Sequence, residues 1–311
     1  MRTARLSLIE RYWSDVALLG LLTLMYAPLL VHWYDGWLRK SISIEHEYFS
    51  HGLIGLPFAA YIAWTHRRRW QRLDSPQDVL HRMTARPKQR QEFAGATLSG
   101  AVFLLMAGVL YLSGLPDPVN ISFPVLLTGL CLWLKGIPGL KLQSFPLLLV
   151  FLATPNEIPY LITPYTLPLQ AFIAGSAGFV LAQLGMDVTV QNIYLLVGGK
   201  LVEVAPYCAG LKMLFTSLYV ALMLLYWTDN LRVRPIVISF LTATIAISIL
   251  ANIVRNTLLA YFHGTSQAAA FHWLHDGWGG DGYSAIMLGL LVVVIRHLEA
   301  FFAPAVTQDL P

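Results

Sequence analysis

Charge is scarce in this chain: only 12% of its 311 residues are Asp, Glu, Lys or Arg, about half the roughly 25% of a soluble domain. That excludes an ordinary water-soluble globule. Cysteine is scarcer still. Cys131 and Cys208 are the only two, which excludes a disulfide framework and a cysteine-based zinc cluster. There is also no repeat of solenoid period and no long low-complexity linker, so residues 1–311 read as one membrane domain. What is present is apolar: 56% of the chain is hydrophobic and the mean hydropathy is +0.59. One soluble core cannot bury that much, so most of it faces lipid or other membrane helices. The net charge of +4 matters through its placement in short loops, where it fixes orientation and does not mark a nucleic-acid partner.

A spanning helix needs about 20 mainly apolar residues. Windows at 16–34, 49–66, 93–114, 119–135, 141–155, 207–227, 236–258 and 283–302 predict an all-α polytopic bundle of about eight spans. Arg2, Arg5 and Arg11 precede the first window with no small-residue cleavage site after it, which reads as an uncleaved anchor. Arg67, Arg68, Arg69, Arg72, Arg82, Arg86, Lys88 and Arg90 place the next connection in the cytoplasm. Both termini then lie inside, and Lys135 with Lys141 flanks an inside turn. Residues 161–184 are ambiguous. A full crossing there pushes Arg232 and Arg234 outside, against the charge rule, so a segment that dips in and returns, or packs within the bundle, is preferred. Residues 193–204, centred on Gly198-Gly199, predict an extracytoplasmic hairpin.

In this topology Cys208, Arg255 and His275 all face the outer leaflet. A lone cysteine usually packs, as Cys131 does among Leu130, Leu132 and Trp133. Cys208, however, follows Pro206, and a place in the first turn of its helix favours a thiolate, while Gly210 permits close approach of a backbone or substrate. An arginine ending the 236–258 span snorkels to headgroups or looks into a cavity. Asn252 and Asn256 share its face, which favours the cavity. The expected outer loop 271–281 holds His272, His275 and Asp276 among glycines and tryptophans. A histidine there serves as a proton shuttle, and the three together are also a possible metal set. Glu45, His46, Glu47 and His51 form a further outer cluster, either solvated or touching substrate.

The runs Glu47-Tyr48-Phe49-Ser50-His51-Gly52, Phe145-Pro146-Leu147-Leu148, Val202 to Lys212, Ala251 to Asn256 and His275-Asp276-Gly277-Trp278-Gly279 together resemble the exosortase and archaeosortase family, most closely its cyanoexosortase branch. The resemblance implies a membrane-embedded cysteine peptidase or transpeptidase without cofactor or metal. Its substrate is the C-terminal sorting signal of exported proteins: a short PEP-CTERM-like motif, a transmembrane helix and a basic tail. It implies Cys208 as nucleophile, Arg255 as the essential arginine and His275 as the histidine, with His272 the substitute. Asn252, Asn256, Asp276, Gly210 and His51 are expected to support the site or bind substrate. The acceptor nucleophile stays open, and membrane lipids are the other partner. Ala209 stands where the family often has serine. A transporter or channel component, a metal-dependent membrane hydrolase and an export scaffold are the competing readings.

Overall fold

The computed structural model describes residues 2–39, 48–75, 87–205, 210–275 and 277–306. They form two compact units, 1–156 and 157–311. The first holds α1 (Arg2–Arg39), α2 (Gly52–Thr65), α3 (Arg67–Arg72), α4 (Pro87–Leu112), α5 (Pro116–Leu142) and α6 (Ser144–Ala153). The second holds α7 (Ile158–Ile162), a 3-10 turn (Thr163–Thr166), α8 (Leu167–Gln183), strands β1 (Val188–Gln191), β2 (Tyr194–Val197) and β3 (Lys200–Glu203), and then α9 (Leu211–Trp227), α10 (Arg234–Gly264), α11 (Ala268–His275) and α12 (Trp278–Val306). Five helical segments, Gln91–Leu112, Pro116–Leu142, Pro164–Gln183, Arg234–Gly264 and Trp278–Phe302, are long and apolar enough to cross a membrane. Gly52–Thr65, Ser144–Ala153 and Leu211–Trp227 are shorter apolar helices. The chain is an all-α polytopic membrane protein with one small sheet.

In the first unit α4 and α5 pack along their lengths, and α2 packs on α6. Buried side chains of α1 reach α5 through polar contacts. Trp33 Nε1 donates to Asn120 Oδ1 at 2.7 Å. Ser122 donates to the Val119 carbonyl at 2.6 Å and takes the Tyr26 hydroxyl at 3.1 Å. Paired polar groups of this kind fix helix register in lipid, where an unpaired one is costly. The expected turn between Lys135 and Lys141 is instead a kink inside α5 at Gly136 (φ 63°, ψ −157°). Lys135 there is buried and donates to the Leu73 carbonyl at 2.6 Å.

In the second unit the expected hairpin is present, and β1 adds a third strand that the sequence reading missed, in antiparallel order β1-β2-β3. Gly198 and Gly199 (φ 55° and 78°) close the β2–β3 turn. The inner face of the sheet, through Leu195 and Val197, packs with Ile173, Ala177 and Leu181 of α8 and Ala260 of α10. Gly198 also touches Gly264 at the end of α10, its β position lying 3.0 Å from the Gly264 carbonyl. The sheet therefore sits on the C-terminal ends of both α8 and α10, and these helices run in the same direction. Residues 164–183 form one unbroken helical segment and do not dip and return. α9 and α12 pack antiparallel to α10, sharing at its start the cluster of Leu225, Ile236, Phe240, Leu291 and Ile295.

Candidate active site

α10 is the platform of the second unit. Its residues at every fourth position, Ile236, Phe240, Thr244, Ser248, Asn252, Asn256 and Ala260, are all buried. The row is apolar at both ends and polar in the middle. Helical spacing puts such a row on one slanted face, so the polar stretch is an interior stripe and not a solvated side. Its first half, Thr244 and Ser248, follows the same four-residue period in the sequence.

The asparagines are held in one arrangement. Asn256 Nδ2 donates to the Asn252 carbonyl at 2.9 Å and to Asn252 Oδ1 at 3.2 Å. This fixes the amide of Asn252, whose Nδ2 is buried without an acceptor among the described residues. A buried donor left unpaired costs about 1–3 kcal/mol, so its position calls for an explanation. Gly210 lies against this amide: a β carbon there would sit 2.5 Å from Asn252 Cγ and 2.6 Å from Nδ2.

Gly210 has φ 82° and caps α9, and its carbonyl accepts the first helical bond from Leu214 N at 2.8 Å. The helix thus starts at Leu211 and not at residue 207. The left-handed glycine, not Pro206, sets the boundary, because that conformation interrupts the helical path. Cys208, expected in the first turn, lies outside the described residues. Among the described residues no side chain caps this helix end.

Arg255 does not end its helix, which runs on for nine residues to Gly264. It is half-buried beside the two asparagines and within electrostatic range of Tyr283. Tyr283 was not singled out from the sequence. Its hydroxyl donates to the Ala251 carbonyl at 2.5 Å, tying the first turns of α12 to α10 one turn before Arg255.

The expected outer loop 271–281 is largely helical. α11 ends at His275 and α12 begins at Trp278. The glycines explain the tight junction, since a β carbon on Gly279 would fall 2.5 Å from Trp273 Cδ2 and one on Gly280 would fall 2.7 Å from the Leu274 carbonyl. His275 is half-buried and stacks on Phe271 (5.2 Å, 10°), which packs in turn on His263 of α10 at 5.6 Å. His272 is exposed on the same helix. Asp276 lies outside the described residues, and among those described no three His, Cys, Asp or Glu side chains gather as metal ligands.

His51 belongs to the first unit. It is 5% exposed, and its Nε2 lies 3.1 Å from the Leu152 carbonyl, which clamps the start of α2 to the end of α6. Cys131 is a half-buried free thiol in α5. Glu45, His46 and Glu47 lie outside the described residues.

Within the second unit, then, the start of α9, the middle of α10 and the start of α12 meet around residues 251–256, with α11 leading into the last of these. A family model described as Transmembrane exosortase (Exosortase_EpsH) matches residues 33–292. No curated protein and no solved structure matches the chain. The matched stretch contains every residue of this meeting point, and the chain belongs to the transmembrane exosortase family.

Proposed function

We propose that this exosortase is a cysteine peptidase or transpeptidase acting on the C-terminal sorting signal of exported proteins, with Cys208, Arg255 and His275 as its catalytic residues. Within the family we place it nearest the cyanoexosortases, on the matching runs taken together. The observation that carries the reading is the seat of Gly210 on Asn252. Cys208 is joined to Gly210 by two peptide units, a reach of about 7 Å. The tether keeps the nucleophile within reach of a polar stripe flanked by Arg255 and of an amide donor that has no acceptor among the described residues.

The Cys208 thiolate attacks the scissile carbonyl carbon, and the carbonyl oxygen takes the negative charge. Arg255 and the Nδ2 of Asn252 stabilise that oxyanion. The C–N bond then breaks, its electron pair leaves on the amine, and protonated His275 supplies the amine with a proton. The thioester is resolved by an acceptor amine, hydroxyl or water, which gives up its proton to His275 as the thiolate is released. Asn256 acts only by holding the Asn252 amide.

Orientation follows from the parallel run of α8 and α10. With Arg232 and Arg234 in the cytoplasm, both helices run outward and the sheet is extracytoplasmic. The start of α8 is then cytoplasmic. Both termini are cytoplasmic and the site faces outward.

The test is co-expression with a tagged protein carrying a C-terminal signal. Cys208→Ala, Arg255→Ala and His275→Ala each abolish processing, and a chelator does not. Processing that survives Cys208→Ala but stops with chelator refutes the cysteine mechanism in favour of a metal hydrolase.

A further inference from the structure

The basic segment after α2 is not a loose loop. α2 ends at Thr65, and after His66 the chain forms α3, Arg-Arg-Arg-Trp-Gln-Arg. Arg67, Arg68, Arg69 and Arg72 are all exposed. Arg67 stacks over Trp64 at 4.4 Å from the ring centroid and donates to the Trp64 carbonyl at 3.0 Å. Arg68, Arg69 and Arg72 have no ion pair among the described residues. Asp74, the nearest acid in sequence, has a contact of its own.

The other side of α3 is anchored. The Trp70 ring reaches α5, with Cζ3 3.1 Å from the β position of Gly139. The buried Lys135 ammonium grips the Leu73 carbonyl at the end of α3. That carbonyl lies at the negative end of the helix dipole, where a cation is favoured. Two contacts to α5 thus hold the backbone that carries four exposed arginines directly at the end of an apolar helix, beside a tryptophan that is 65% exposed. Exposed tryptophan at the end of an apolar helix marks the headgroup level, and guanidinium forks match phosphate oxygens.

We propose that α3 is a docking site for anionic phospholipid headgroups, shaped by its anchorage to α5. The occupant is a membrane lipid because the array sits where an apolar helix meets water and because its uncompensated charge is of one sign. This inference does not depend on the peptidase reading.

The test uses the full chain in nanodiscs of equal phosphatidylglycerol and phosphatidylcholine, with retained lipid measured by mass spectrometry after mild delipidation. Phosphatidylglycerol is enriched at least about fivefold in the wild-type protein, the ratio that roughly 1 kcal/mol from a single basic residue near the surface gives. Enrichment falls to unity in the variant carrying R67Q, R68Q, R69Q and R72Q, whose replaced side chains are exposed and leave the fold intact. It weakens at high salt. Lys135→Met, which keeps all four arginines, loosens the platform and lowers the enrichment at least twofold at unchanged circular dichroism. Three results overturn the proposal: enrichment that persists in the quadruple variant, complete displacement of the lipid by millimolar inorganic phosphate, or arginine-dependent binding of soluble polyglutamate without any lipid preference.

Discussion

Gly210→Ala probes the junction of α9 and α10 directly. The substitution acts through two separable effects. A β carbon at φ 82° is strained by about 1–2 kcal/mol. It also meets Asn252 Cγ at 2.5 Å, so the amide must move and the bond from Asn256 to its Oδ1 is lost, at about 1 kcal/mol net. The sum is about 2–3 kcal/mol. Gly199 supplies the control: its φ is 78°, and a β carbon there meets nothing within 4 Å, so Gly199→Ala carries the strain alone. The assay is denaturant unfolding of the purified protein in mixed micelles, run as a double-mutant cycle with Asn252→Ala. Gly210→Ala costs about 1 kcal/mol less in the Asn252→Ala background than in the wild type, a coupling expected only of residues in contact. Equal costs for Gly210→Ala and Gly199→Ala, or strict additivity in the cycle, refute the contact.

Asn256→Leu removes the donor to Asn252 Oδ1 and destabilises by about 1–3 kcal/mol; in the co-expression assay it lowers processing even at saturating substrate. Tyr283→Phe loses the bond to the Ala251 carbonyl, at about 1 kcal/mol, and unfolding in the same micelles measures it. Trp33→Phe strands Asn120 Oδ1 and costs about 1–3 kcal/mol in the same assay, without changing the processing rate at permissive temperature. For topology, with Cys131 and Cys208 replaced by alanine, Thr189→Cys in the sheet is labelled by an impermeant thiol reagent in intact cells and Asp229→Cys in the turn before α10 only after lysis. Labelling of Asp229→Cys from outside refutes the orientation.

Much of the bundle was legible because lipid imposes a simple length and polarity rule on each helix. The hairpin was legible for a local reason, since paired glycines between alternating apolar residues specify a two-residue turn. What escaped the sequence were features decided by tertiary contact. Lys135 resembles a loop charge until the Leu73 carbonyl comes to meet it. Residues 161–184 read as a dipping segment because a full crossing set the charges of Arg232 and Arg234 against the orientation rule, yet Pro164 and Pro168 sit at the starts of helical pieces, where the missing N–H costs nothing. Asn252 and Arg255 stood out because polar groups are expensive in an apolar run. Tyr283 did not, because a tyrosine near an interface is ordinary and only the Ala251 contact gives it a role. The start of α9 was displaced by a left-handed glycine whose conformation no pattern of hydropathy encodes.

Trapping the acyl-enzyme tests the central claim most directly. Membranes holding the protein and its tagged substrate, quenched in acid during turnover, should yield a peptide of the exosortase carrying the substrate fragment on Cys208. The adduct is released by neutral hydroxylamine, is absent from Cys208→Ala, and is strongly reduced in Arg255→Ala. Normal processing by Cys208→Ala, or an adduct mapped to any other residue, contradicts the account.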